Sequence, residues 1–254
     1  MQQWRLLLTR TAPDCQLQAD QLTALGYFAL ALPLIETQPL PETSEQRGLL
    51  LDFDRYNTII VISKTAAKLM LERLDYYWPQ LPLQQTWFTV GQTTAEILTA
   101  AGLTAYYPLI GDNSEALWKF AKFQQQLASP NCRILITKGQ GGRTWLTEQL
   151  QLAGIACDTI DLYKRHSTIY SEQTIWQTIQ NNQINAIVIS SAQSLHNLAS
   201  LMPQHWQQLT QLTFWVPSER LVKQAQLLGI KQIVNCQNAS LNALIERLNS
   251  HPSL

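Results

Sequence analysis

Charge is scarce in this chain. Lys and Arg number 18 and Asp and Glu 18 in 254 residues, so only 14% of positions are charged and the formal net charge is zero. Dedicated nucleic-acid binders carry a basic excess, so no nucleic acid is expected as a partner. Long apolar runs are missing too. No stretch reaches the roughly 18 residues that a membrane-spanning helix needs, and the apolar core of MQQWRLLLTR, Leu6–Leu8, is too short for a secretory h-region. No membrane partner is expected, and the cytoplasm is the expected location. Cysteine is sparse and unpatterned. Cys15, Cys132, Cys157 and Cys236 form no C-x-x-C, so neither a zinc ribbon nor a disulfide framework is indicated, and free, largely buried thiols are expected. His166, His196, His205 and His251 show no metal-ligand spacing. No metal is expected, and His196 and His205 are assigned to helix surfaces. No G-x-S-x-G surrounds any serine.

What the chain does have is apolar bulk and a repeat. Its 46% apolar content supports a sizeable core, and its length allows one or two domains. Arg133–Arg165 (RILITKGQGGRTWLTEQLQLAGIACDTIDLYKR) reads as strand, glycine-rich turn, helix, turn and strand. Arg5–Glu36 answers it: RLLLTR matches RILITK, and QLTALGY matches QLQLAGI. The match continues. TIIVIS (58–63) pairs with AIVISS (186–191), placing Ser63 opposite Ser191. Trp87–Gly91 pairs with Phe214–Ser218, and Gly102 with Gly229. The chain is a duplication of about 125 residues per copy.

Within each copy, strands and helices alternate, which implies parallel sheets covered by helices. The fold class is therefore α/β: two small doubly wound domains. Thr11 and Asp14 are candidate helix caps. Ala105–Pro108 reads as a strand, and Asn113-Ser114-Glu115 as the cap of a helix reaching about Leu127. Pro79–Gln85 reads as loop, and the proline-bearing Glu36–Gln46 as a crossover or linker.

Ligands of open α/β sheets bind beyond the carboxyl ends of strands. That rule selects Thr9-Arg10, Ser63-Lys64-Thr65, Gly91–Thr94, Lys138–Arg143, Ser191–Ser194 and Pro217-Ser218. Each turn is small and polar and precedes a helix, whose free N–H groups favour anions. Two such rims facing each other would form a cleft for a ligand with several carboxylates or phosphates. Lys138-Gly139-Gln140-Gly141-Gly142-Arg143 is the sharpest local signal: a candidate anion nest between two cations. It is not a Walker A loop, because the lysine precedes the glycines. Tyr163 stands where the first copy has the apolar Ile35. A tyrosine at a domain junction is able to donate a proton, although packing alone would also account for it.

The ordered motifs LLLTR (6–10), PLIE (33–36), VIS (61–63), VGQTTA (90–95), ITKGQGGR (136–143), YKR (163–165) and VPSERL (216–221) resemble the uroporphyrinogen-III synthase family across essentially the whole chain. The resemblance implies two α/β domains: residues 1–34 with 168–254, and residues 39–160. A two-stranded linker of 35–38 and 161–167 would join them. It implies cofactor-independent closure of hydroxymethylbilane to uroporphyrinogen III in haem biosynthesis. Water is lost and ring D inverted, through an azafulvene and a spiro intermediate. It assigns Tyr163 as the group that protonates the leaving hydroxyl. It assigns substrate carboxylates to Arg10, Lys64, Lys138 and Arg143 and to the turns carrying Ser63, Thr65, Thr94, Gly141, Gly142, Ser191, Ser194 and Ser218. Val216–Glu219 lacks the glycine common at that turn in the family, and Glu219 would repel an anion. A monomer is expected, with transient contact to hydroxymethylbilane synthase. A second reading keeps the same turns in a two-lobed, non-catalytic module for a small polyanion; such a module would tolerate phenylalanine at 163. A nucleotide- or sugar-using enzyme lacks its acidic ribose residue in convincing register.

Overall fold

The computed structural model describes residues 4–82 and 84–251. Met1–Gln3 of the N-terminal stretch, Leu83 of the expected Pro79–Gln85 loop and Pro252–Leu254 lie outside them. The strands are β1 (Arg5–Leu8), β2 (Phe28–Ala31), β3 (Ile35–Pro39), β4 (Thr58–Val61), β5 (Thr86–Thr89), β6 (Ala105–Tyr106), β7 (Arg133–Gly139), β8 (Ala156–Ser167), β9 (Ala186–Val188), β10 (Thr213–Val216) and β11 (Gln232–Asn235). Contacts divide the chain into two units, Met1–Thr37 with His166–Leu254, and Gln38–Arg165.

The first unit is built on a sheet in the order β11-β10-β9-β1-β2, all of it parallel. Its strand β1, between β9 and β2, carries three leucines with no exposed surface. Strand side chains alternate faces, and the packing follows that period. Leu7 joins Ile187, Phe214 and Leu195 on one face, while Leu6 and Leu8 join Leu22, Trp215 and Leu244 on the other. The second unit contains the order β3-β8-β7-β4-β5-β6, with β8 through β6 paired in parallel. Ile59 and Val61 of β4 face Ala67, Met70 and Leu74; Ile60 faces Phe88, Phe123 and Leu150. Burial on both faces accounts for the unbroken apolar runs of β1 and β4. Each fully buried Leu or Ile contributes about 1.5–3 kcal/mol.

β3 and β8 are hydrogen-bonded neighbours and carry the chain across the unit boundaries. Their ends are tied within each unit. Leu40 N–H donates to Leu162 O at 2.9 Å, and Thr168 N–H to Leu34 O at 3.3 Å.

The duplication is written into the backbone. Ser63 (φ −156°, ψ 161°) and Ser191 (φ −155°, ψ 161°) cap their helices alike, each accepting at 3.1 Å from the N–H three residues on. Gly91 (φ −158°, ψ 159°) and Ser218 (φ −161°, ψ 156°) also correspond, and neither makes a side-chain cap bond.

Several expectations need correction. Thr11 and Asp14 are not caps. The helix Asp14–Ala24 starts after Pro13 with no side-chain cap, since proline suits a helix start where its missing N–H costs nothing. Asp14 instead lies 3.7 Å from Arg10. The helix expected to reach Leu127 breaks at Phe120 (φ −70°, ψ 119°) into Ser114–Lys119 and Ala121–Leu127. Phe120 leaves the helix to pack its ring edge-on against Phe88. β6 stops at Tyr106, short of Pro108. The polar stretch 36–46 is not all linker, because Thr43 caps a helix, Ser44–Leu51. His205 is half-buried, stacked on Trp176 and 2.9 Å from Glu172.

Candidate functional site

In the second unit the geometry centres on three residues, Gly139 at the end of β7, Tyr163 within β8 and Ser63 just beyond β4. Between β7 and β8 the register shifts: Lys138 is opposite Asp161, but Gly139 is opposite Tyr163, so β8 carries Leu162 as an extra residue. A bulge re-aims side chains locally, and here the Tyr163 ring stands directly over Gly139. A Cβ on Gly139 would lie 2.6 Å from two ring carbons and 3.0 Å from the hydroxyl. Only glycine permits that approach. The backbones are joined by Gln140 N–H donating to Tyr163 O at 2.7 Å. The ring is 3% exposed and belongs to the core beside Ile59 and Val61. Its hydroxyl is 2.9 Å from Ser63 Oγ. Ser63 lies two residues beyond β4, is half-buried, and caps the helix Lys64–Tyr77 through Ala66 N–H. The Arg165 guanidinium lies 5.9 Å from the Tyr163 ring centre, at the outer reach of a cation–π contact.

The remaining predicted residues of this unit lie at or beside its strand-to-helix turns. Lys64 and Thr65 open the helix behind Ser63, both half-buried. Thr94 is 4% exposed, with its N–H bonded to Gly91 O. Lys138, the last residue but one of β7, pairs with Asp161 at 3.1 Å. Gly141 takes φ +71°, the left-handed conformation that the turn requires. Gly142 follows it, with Gly139 O 3.4 Å from the place of a Cβ. Arg143 is exposed and held by Glu115. Both cations flanking the glycine turn thus already face carboxylates of their own chain. An incoming carboxylate would exchange partners rather than meet a bare cation.

The first unit holds Arg10, Ser191, Ser194 and Ser218. The Arg10 side chain donates to Ala239 O at 2.9 Å and lies near Asp14. Ser191 is half-buried and covers Ser194, which has no exposed surface; their hydroxyls are 2.8 Å apart. Ser218 precedes the helix Glu219–Leu227. Glu219 accepts from Asn235 Nδ2 at 3.3 Å, which turns its carboxylate toward its own sheet edge.

Sequence reading did not find the Ser63–Tyr163 bond or the role of Gly139. A glycine closing a buried strand, one residue ahead of a glycine-rich turn, was the available signal. Among the described residues, no three His, Cys, Asp or Glu side chains gather closely enough to hold a metal ion, and no helix is long and apolar enough to cross a membrane.

The family model described as "Uroporphyrinogen-III synthase HemD" matches residues 17–246. The chain belongs to the uroporphyrinogen-III synthase family. It is 31% identical to the uroporphyrinogen-III synthase of Escherichia coli (strain K12) over 251 residues, covering 96% of this chain and 99% of that one. It is 32% identical to that of Salmonella typhimurium over 254 residues, with the same coverage. Among solved structures, uroporphyrinogen-III synthetase from Helicobacter pylori 26695 superposes with a TM-score of 0.61 at 14% identity, covering 97% of this chain and 99% of that one. A mutant uroporphyrinogen III synthase from the extremely thermophilic bacterium Thermus thermophilus gives 0.58 at 12% identity, with the same coverage. Those two likenesses concern the fold. They agree with the α/β architecture found here.

Proposed function

We propose that the chain converts hydroxymethylbilane to uroporphyrinogen III, inverting ring D and releasing water, with Tyr163 as the source of the proton that the leaving hydroxyl takes. The observation that carries the chemical part is the Tyr163 hydroxyl, fixed 2.9 Å from Ser63 by a ring that Gly139 alone leaves room for. A phenolic O–H is a hydrogen-bond donor and carries the proton that the step requires. The substrate is a flexible chain bearing many carboxylates. The turns at the strand ends of each unit, with Arg10, Lys64, Lys138 and Arg143, hold those carboxylates and limit the approach of ring D to the inverted sense. Fixing reacting groups in this way is worth several kcal/mol of barrier, about 7–11 at best. The azafulvene formed on loss of water is attacked by ring D through the spiro intermediate, and a ring proton is finally lost.

A non-catalytic polyanion module is not favoured, because the chain shares nearly full length with named synthases. We further place the reaction in the cytoplasm, catalysed by a monomer that meets hydroxymethylbilane synthase transiently to receive an unstable substrate. The test is a product assay. Hydroxymethylbilane generated in situ closes spontaneously to isomer I. The protein should shift the oxidised porphyrins to isomer III, and Tyr163→Phe should slow that shift. Isomer I alone, from folded protein, would refute the proposal.

A further inference from the structure

We propose that Ser63 is a second catalytic residue, the outer member of a two-hydroxyl relay through which Tyr163 delivers its proton. The inference rests on the synthase reaction proposed above. Tyr163 is 3% exposed, its ring is covered by the Gly139 backbone, and its hydroxyl bonds to Ser63 Oγ. A group so enclosed does not itself reach a leaving hydroxyl. Ser63 is the more exposed of the two: it is half-buried and lies two residues beyond β4, at the cap of a helix of 14 residues.

The hydrogen-bond count then sets direction. A serine hydroxyl has two lone pairs and one proton. Ala66 N–H occupies one lone pair at 3.1 Å. With Tyr163 donating into the other, the Ser63 proton is left pointing away from both, available to a ligand. In the step itself, Ser63 O–H gives its proton to the oxygen of the substrate hydroxymethyl group. The C–O bond breaks, and its electron pair leaves with water. The pyrrole nitrogen lone pair closes the azafulvenium. Tyr163 O–H passes its proton to Ser63 Oγ, leaving a phenolate. The ring proton shed after the spiro intermediate returns along the same two oxygens. One water leaves, and no oxidant or reductant is required.

The duplicated position supplies the contrast. Ser191 has the same cap geometry, but its hydroxyl partner is Ser194, and Ile35 stands where Tyr163 does. The cap is common to both copies; the relay belongs to one.

The experiment is single-turnover formation of isomer III with enzyme in excess. It compares wild type, Tyr163→Phe, Ser63→Ala, the double variant and Ser63→Thr. Ser171→Ala, which removes a helix cap elsewhere, controls for lost capping. General acid catalysis is worth about 10²–10⁴-fold, so each single loss should be at least about 100-fold. The double variant should be no slower than Tyr163→Phe, and Ser63→Thr should recover most of the rate. A wild-type rate in Ser63→Ala, multiplying losses in the double variant, or no recovery in Ser63→Thr would overturn the relay while leaving the synthase assignment standing. Absence of isomer III from wild type would overturn the assignment and the relay with it.

Discussion

Replacing Gly139 by alanine tests the packing that fixes Tyr163. The new methyl would lie 2.6 Å from ring carbons Cε2 and Cζ and 3.0 Å from the hydroxyl oxygen. Carbon–carbon contacts are comfortable at about 3.5–4.0 Å, so ring or strand must yield by about 1 Å. The strand resists, because Gln140 N–H and Tyr163 O are bonded at 2.7 Å across the bulge. The ring resists, because it lies in the core beside Ile59 and Val61. Overpacking of this kind costs about 1–3 kcal/mol. At about 2–4 °C per kcal/mol for a chain of this size, the melting temperature should fall by roughly 5 °C. A displacement of about 1 Å at reacting groups is worth about 100-fold in rate, so isomer III formation should slow comparably in a single-turnover assay. Gly142→Ala, where the Cβ would meet only Gly139 O at 3.4 Å, should change both quantities far less. Unchanged melting and unchanged rate in Gly139→Ala would refute the argument that this glycine seats the tyrosine.

Other outcomes follow from the same structure. Gly48 lies on the exposed face of the helix Ser44–Leu51 with nothing near its Cβ direction, so Gly48→Ala should stabilise by about 0.5–1 kcal/mol in urea melts. Glu115 holds Arg143, and that guanidinium keeps its carboxyl below the usual range. If Arg143 takes a substrate carboxylate, Glu115→Gln should lower KM and leave kcat unchanged; a higher KM would contradict that role. Burial pushes the Cys15 thiol up from 9.0 to about 11. The folded chain therefore keeps the proton while the unfolded chain loses it, so this contribution is whole below pH 9 and is lost as pH rises toward 11. The stability gap between wild type and Cys15→Ala should narrow by about 2 kcal/mol across that window. A gap independent of pH would mean that the thiol is solvated.

The sheets were readable because β1 and β4 are buried on both faces, which leaves apolar runs that need no tertiary knowledge. The caps were readable in part. Asn113 accepts the expected N–H group, and Ser63, Ser191 and Ser240 cap their helices in the same way. Thr11 and Asp14 yielded to Pro13, whose missing N–H needs no partner at a helix start. The helix Ser44–Leu51 went unread because amides and charges dilute its apolar face. β11 is an edge strand with no fully buried residue, so it carries little of the apolar signal. At the site, residue types were legible but their meeting was not. Ser63 and Tyr163 lie 100 residues apart. Their contact depends on one extra residue in β8, and register belongs to a pair of strands rather than to either sequence.

The path of the chain also sets an order of assembly. Every strand of the second unit from β4 to β7 is synthesised before residue 140, and the unit closes at Arg165. β1 must wait for β9, with Leu6 opposite Ala186 and Leu7 opposite Ile187. Contacts so distant in sequence form slowly, and domains fold as units while the chain emerges. During synthesis, therefore, three buried leucines at the start of the chain remain without their central partner until Ala186–Val188 have left the ribosome. The middle of the protein matures first, and its beginning and end mature together.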